Sequence, residues 1–266
     1  MIGFMTYKDT KMGEEFVEYG KGYVITPCYE GPRCRIIFDS GFSIYSQSGR
    51  RLEKLEEAWK ETLSRIPVIT PFFLEGELMT ANEEEPFTAG NSLIYITDYV
   101  SSPSIPYYQR SLQRKTFFLK NEEVLRDSAV RNTSEGYEVI INQHTVMMCL
   151  ESFYRLGHDS IVLRNTSAPY IEGPSDGLLL VKDHDRFNLR IKEIEAKDNV
   201  LTSLIVEDKD GKVFSAFVNK DYELYNEIIF DSKNFVGKTV VARRENNAFE
   251  LLTVKFVTRK VDRIKE

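Results

Sequence analysis

The sequence is poor in the residues from which secreted and metal-built domains are made. Only three cysteines occur in 266 residues, Cys28, Cys34 and Cys149, and no C-x-x-C pair is among them. An odd, sparse set argues against a disulfide framework and a structural zinc site, and predicts free thiols in a reducing, cytoplasmic compartment. The three histidines, His144, His158 and His184, are too few for a His-rich metal centre. No Ser–Asp or Cys–Asn partners stand near His144 or His158 in a pattern that a hydrolase triad requires. No apolar run approaches the roughly 20 residues needed to cross a bilayer. The opening "MIGFMTYKDTKMGEEF" has neither the basic start nor the apolar stretch of a signal peptide, so no membrane association is expected. An excess of positive charge is also missing. The net charge is −6, and residues 183–266 hold 16 basic and 16 acidic residues, so the whole deficit falls on residues 1–182. Any nucleic-acid contact must come from local basic strips, of which the final "KFVTRKVDRIKE" is one.

What is present suits one large or two small folded domains: 42% of the residues are hydrophobic and 12% aromatic. "GYVITPC" and "CRIIF" alternate around a Gly31-Pro32 turn, and "GFSIYSQSGRR" continues the pattern, which predicts an antiparallel meander. The period then changes. Leu52, Leu55, Trp59, Leu63 and Ile66 recur at helical spacing, and Pro67 and Pro71 end that helix. "PFFLEGELM" and "NSLIYITDYV" read as strands around an acidic loop, and a helix is expected after Pro106. "NQHTVMMCLESFYRLG" predicts a helix with Val146, Leu150 and Phe153 on one face and Gly157 as its stop. From residue 185 the pattern reads as all-β, with "DKDG" as a hairpin turn, and the last 80 or so residues suit a five-stranded oligonucleotide/oligosaccharide-binding (OB) barrel. The expected boundary divides 1–183 from 184–266.

The stretch "TPCYEGPRCRI", residues 26–36, has the shape of an active-site loop, and its neighbours explain why. "CYEGPR" at 28–33 resembles the K-x-D-G-x-R motif of the ATP-dependent DNA ligases. In order after it, "SQSG" resembles their S-R-x-G, "LEGEL" their D-G-E and "IYITDY" their aromatic-Asp strand. "GHDSIVLRNTSAPYIEGPSDGLLLVKD" resembles their E-G, Y/G-R-S and K-x-K series, and "KVDR" the terminal R-x-D-K. The resemblance runs over nearly the whole chain and, in length, is to the minimal ligases of the kind a virus or mobile element carries. It implies an α+β nucleotidyltransferase domain of antiparallel sheets with flanking helices, followed by the OB barrel. It also implies ATP and Mg²⁺ as ligands and duplex or nicked DNA as partner.

The departures fall on the charged positions. The family's adenylated lysine corresponds to Cys28, its following Asp to Glu30, and the Arg of S-R-x-G to Gln47. The adenine-stacking aromatic corresponds to Thr97, and the metal-binding Glu and Gly of E-G to Asp159 and Ser160. The first Lys of K-x-K becomes Leu180, and the Arg of the G-R-S loop becomes Pro174. Gly31, Arg33, Glu77, Asp98 and Lys182 keep the family's residue type. Losing a nucleophile together with cationic phosphate ligands leaves little preorganised electrostatics for phosphoryl chemistry. No confident catalytic residue remains. The expectation is a ligase-like protein without adenylylation chemistry. Its residual nucleotide-binding residues are Glu30, Arg33, Glu77 and Lys182, its candidate metal ligand is Asp159, and its DNA-contacting residues are Arg259, Lys260 and Arg263. An ion pair between Arg33 and Glu77 is the plainer role for those two. Two other readings remain open: a scaffold for a replication or repair protein, and an active ligase that uses Lys21 or Lys182 as a relocated nucleophile.

Overall fold

A computed structural model describes residues 4–11, 22–80, 88–133, 138–139, 143–156, 158, 160–182, 186–197, 200–219, 223–245 and 248–254. The expected Asp159, Lys21, Arg259, Lys260 and Arg263 lie outside these. Among the described residues the chain forms two compact units, one within Met1–Asn142 and Val162–Val181, the other within Gln143–Ile161 and Lys182–Val257.

The elements of the first part are β1 (Met5–Lys11), β2 (Tyr23–Pro27), β3 (Arg33–Phe38), β4 (Phe42–Ser46), α1 (Glu53–Leu63), β5 (Phe72–Thr80), β6 (Ser92–Val100), α2 (Tyr107–Lys120), α3 (Glu122–Leu125), β7 (Val130–Asn132), β8 (Glu138–Val139), α4 (Gln143–Arg155), β9 (Ser160–Asn165) and β10 (Gly173–Lys182). They build two five-stranded sheets, β4-β3-β5-β6-β7 and β1-β10-β9-β2-β8. The first is antiparallel except for the parallel pair β6/β7, so the all-antiparallel expectation is corrected at that edge.

Period-two alternation sorts the first sheet's side chains. Cys34, Ile36 and Phe38 of β3 join Phe72, Leu74 and Leu78 of β5 and Ile94 and Ile96 of β6 in one core. Leu55, Trp59 and Leu63 of α1 cover it, at the helical spacing read from the sequence. Gly76 is required in β5, because a Cβ there would lie 2.4 Å from the Tyr95 carbonyl oxygen. The strand β1 was not anticipated. Its residues "MTYKDTK" are mostly polar, and what anchors it is Met5 and the preceding Phe4.

The second part continues with β11 (Arg186–Lys197), β12 (Val200–Glu207), β13 (Val213–Val218), α5 (Glu223–Phe230), α6 (Ser232–Phe235), β14 (Thr239–Glu245) and β15 (Ala248–Val254). The strands close into a barrel of order β11-β12-β13-β15-β14, with β13 and β15 parallel. Closure depends on β11, which pairs with both β12 and β14 and is irregular at Ile191/Glu193 and Glu195/Ala196. The "DKDG" turn forms as expected: Gly211 takes φ +78°, and Asp208 accepts the Asp210 and Lys212 amides at 2.9 Å. The all-β expectation is corrected by α5 and α6. Leu224, Tyr225 and Ile228 recur at helical spacing and bury one face of α5 in the barrel core.

One exposed cluster ties α1 to the edge of its sheet. Glu56 accepts from the Ile44 amide at 2.8 Å and from Arg51 Nε at 2.9 Å and Nη2 at 2.8 Å. Burial works to raise the Glu56 carboxyl, but the bonds from Arg51 and Ile44 outweigh it and hold the group below its usual range. A lowered folded value stabilises above the unfolded value and is lost as pH falls through the folded one. Urea titrations should therefore show Glu56→Gln less stable than the parent at neutral pH, with the gap closing as pH drops below about 4.3. A gap independent of pH would contradict this origin.

Candidate functional site

The site is built on the face of β3 and β5 turned away from the α1 core. Arg33 and Arg35 stand two residues apart on β3, in register with Glu77 and Glu75 of β5, so all four side chains share that face. Glu75 binds both arginines. Nη2 of Arg33 meets one carboxylate oxygen at 2.6 Å and Nη2 of Arg35 the other at 2.6 Å, with none of the three more than 7% exposed. The Tyr170 hydroxyl donates to Glu75, accepts from Arg35 at 2.7 Å and accepts from the Met5 amide at 2.9 Å. Arg33 also donates to the Met5 carbonyl. The Arg35 guanidinium lies between the rings of Phe4 and Phe73, 4.3 and 4.2 Å from their centroids. The start of β1 is thus held by Arg33 and, through Tyr170, by the Arg35–Glu75 pair, whereas the motif resemblance points to Arg33 and Glu77. Glu75, Arg35, Tyr170 and Met5 were all passed over. The alternations R-C-R and E-G-E were the available signal, since period two places both charges of each triplet on one face.

Burial decides the ionisation of the neighbouring groups. It pushes the Tyr170 phenol far above its ordinary value, and the Glu75 carboxylate adds to the shift. It does the same to the Cys34 thiol, where Glu75 again adds and Arg33 only partly opposes. Cys34 is therefore held as a thiol and not as a nucleophile.

Cys28 follows β2 and is 3% exposed. It packs in an apolar cluster with Met5, Val100, Val162, Tyr170, Leu178 and Leu180. The two positions that correspond to lysines in the resemblance, 28 and 180, thus meet in one greasy cluster. Next to Cys28, Tyr29 stacks on Tyr95 with centroids 4.1 Å apart. Glu30 is half-buried and takes φ +54°, a left-handed conformation unusual for a side chain of its kind. Gly31 has no room for a Cβ, which would fall 2.0 Å from the Leu78 carbonyl oxygen.

The remaining expected residues stand on several elements. Glu77 is buried on β5, and Lys182 is half-buried at the end of β10. Gln47 and Pro174 are exposed, and Ser160 is fully buried. Thr97 is buried, its carbonyl accepting from Arg114 at 2.6 Å. Asp98 is clasped by Arg110, Nε to one oxygen at 3.1 Å and Nη2 to the other at 3.1 Å. Among the described residues no group of three His, Cys, Asp or Glu could hold a metal ion, and no helix is long and apolar enough to cross a membrane.

The backbone of this chain matches that of the Chlorella virus DNA ligase–adenylate over 94% of this chain and 99% of that one, with a TM-score of 0.57 and 18% identity. The chain has the fold of the ATP-dependent DNA ligases. The bacteriophage T7 ATP-dependent DNA ligase, solved with ATP, matches 95% of this chain and 97% of its own at TM-score 0.52 and 16% identity. A mycobacterial DNA ligase D, solved with ATP and MES, matches 100% and 98% at TM-score 0.51 and 10% identity. No protein-family model matches the sequence, and no curated protein does. The sheets and helices fit the nucleotidyltransferase part of that fold and the closed barrel its OB part.

Removing one partner of a buried ion pair leaves the other charge uncompensated, at a cost of about 3–5 kcal/mol. Glu75→Gln, which strands two guanidiniums, should lower the unfolding free energy by about that amount in urea titration. A loss under about 1 kcal/mol would show the arginines to be solvated rather than paired.

Proposed function

We propose that this chain is a ligase-fold protein that has lost adenylylation and binds duplex or nicked DNA. The observation that carries the first half is the cluster around Cys28. An attacking lysine needs a neutral amine poised beside an α-phosphate, and cationic neighbours to receive the developing charge. Positions 28 and 180 instead hold a thiol and an isobutyl group, packed against Met5 and Tyr170. The aromatic surface beside them is already taken up by Tyr29 on Tyr95. Asp98 is neutralised by Arg110 and Glu75 by two arginines. These residues do not fit a bound ATP–Mg²⁺, and no chemical step is assigned to them. Glu30, Arg33, Glu77 and Lys182 keep polar character at the motif positions, and in this reading they serve the fold or a residual anion contact.

The second half is supported by the fold and by the distribution of charge. Residues 183–266 carry no net charge, and Arg190, Arg243 and Arg244 stand on the adjacent strands β11 and β14. Arg259, Lys260 and Arg263, in the basic run that follows β15 in sequence, are the further candidates for DNA contact. We assign 1–183 to the nucleotidyltransferase-like domain and 184–266 to the barrel domain. Phosphate contacts of this kind supply affinity without sequence reading.

Two measurements test the two halves separately. Incubation with α-labelled ATP and Mg²⁺, then denaturation, should leave no label on the protein. Label on Lys21 or Lys182 would instead establish an active ligase with a relocated nucleophile. Binding to nicked duplex should weaken steeply with salt, log K falling with log salt at about 0.9 per phosphate neutralised. No binding at low salt would overturn the DNA reading and leave the scaffold for a replication or repair protein.

A further inference from the structure

Helix α2 has two working faces. Tyr107, Arg110, Arg114 and Phe117 form its buried face. Tyr108, Leu112 and Leu119 are 49%, 56% and 73% exposed. At 3.6 residues per turn these three fall with Lys115 in an arc of about 60°, on the side of the helix away from the buried face. Leu112 to Leu119 spans about 10 Å along the axis. Large apolar side chains aligned in this way gain nothing from the fold and reduce solubility, which marks them as a contact surface.

A groove of about 450 Å³ opens beside this stripe, lined by the end of α2, by α3 and by β7. Leu125 and Val130 are buried in its floor and Phe118 is half-buried. Its charged lining is Lys115, Arg126 and Arg131 against the single carboxylate of Glu122, which Arg126 meets at 3.4 Å in an exposed pair that a competing carboxylate could replace. Arg131 is steadied there by donating to the Leu125 and Arg126 carbonyls at 3.4 and 3.2 Å. Helix α2 has no carboxylate, and of its four cations Lys115 and Lys120 lie off the buried face that holds Arg110 and Arg114. Cations thus gather around an apolar strip in the part of the chain that holds the whole net negative charge.

We propose that the α2 stripe and its groove dock an acidic amphipathic segment of a partner protein. Apolar side chains at helical spacing lie along Leu112 and Leu119 and into the groove, and carboxylates face Lys115, Arg126 and Arg131. The alternatives fit less well. A nucleic-acid backbone matches the cations but leaves the leucines wet. A second copy of this chain, packed about a two-fold axis, sets the same cations against themselves. The inference is independent of DNA binding, which uses other residues.

The test uses the full chain and two fluorescein-labelled 14-residue helical peptides, with leucines at i, i+3, i+4 and i+7. One carries Glu at the remaining positions and the other Lys. Fluorescence anisotropy at low salt should show the Glu peptide binding at least tenfold more tightly than the Lys peptide. Leu112→Ser with Leu119→Ser, and separately Arg126→Glu, should weaken it at least fivefold. All three positions are exposed, so the circular dichroism melt should not move, and affinity for nicked DNA should be unchanged. No binding, equal binding of the two peptides, or binding indifferent to the variants would overturn the proposal. So would displacement of the Glu peptide by a 20-base-pair duplex, which would assign the face to nucleic acid. Self-association in sedimentation that the leucine variant abolishes, without peptide binding, would assign it to a second copy.

Discussion

Glu75 is shared by two arginines that the fold has taken out of water, and much of the first unit is arranged around that fact. A buried guanidinium is tolerable only when its charge and its donors are met. Glu75 gives one oxygen to Arg33 and the other to Arg35, and Tyr170 and the Met5 backbone accept further donors of the two guanidiniums. Because those partners come from β3, β5, the Tyr170 segment and β1, one carboxylate links residues from both five-stranded sheets. The aromatic rings of Phe4 and Phe73 complete the enclosure of Arg35. A polar network of this kind specifies its geometry more tightly than apolar packing of the same volume, because each missing partner leaves an unpaid charge.

The sequence was legible where one periodicity ruled. The helix carrying Trp59, the strands on either side of Gly31 and the turn at Gly211 all followed from spacing and turn chemistry, and the ordered motif strings pointed to the ligase fold. It was less legible where long-range pairing overrode local character. The polar β1 gave no strand signal, because what fixes it is Met5 meeting Arg33 and Tyr170, far away in the chain. Helix α5 was masked by the strands on either side, although Leu224, Tyr225 and Ile228 carry its period. In the candidate site, motif matching drew attention to Arg33 and Glu77. Their neighbours Arg35 and Glu75, one step along the same face, became visible only when the register was known.

Two surfaces of the protein therefore have opposite histories in physical terms. On the interior face of β3 and β5 Glu75 is bonded by Arg33, Arg35 and Tyr170, and the apolar cluster at Cys28 includes the chain's own Met5 and Tyr170. The outer face of α2 exposes Tyr108, Leu112 and Leu119 beside a groove whose lining includes Lys115, Arg126 and Arg131.

The cluster joining Cys28 to Leu180 also bears on how such a chain can change. A lysine introduced at either position alone would place an ammonium among Met5, Val162 and Leu178, where desolvation costs several kcal/mol. Each step back toward a charged site would thus be disfavoured by stability before it could be rewarded by activity. The greasy filling therefore constrains the two positions together, and a charge at one would need the packing around the other to change with it.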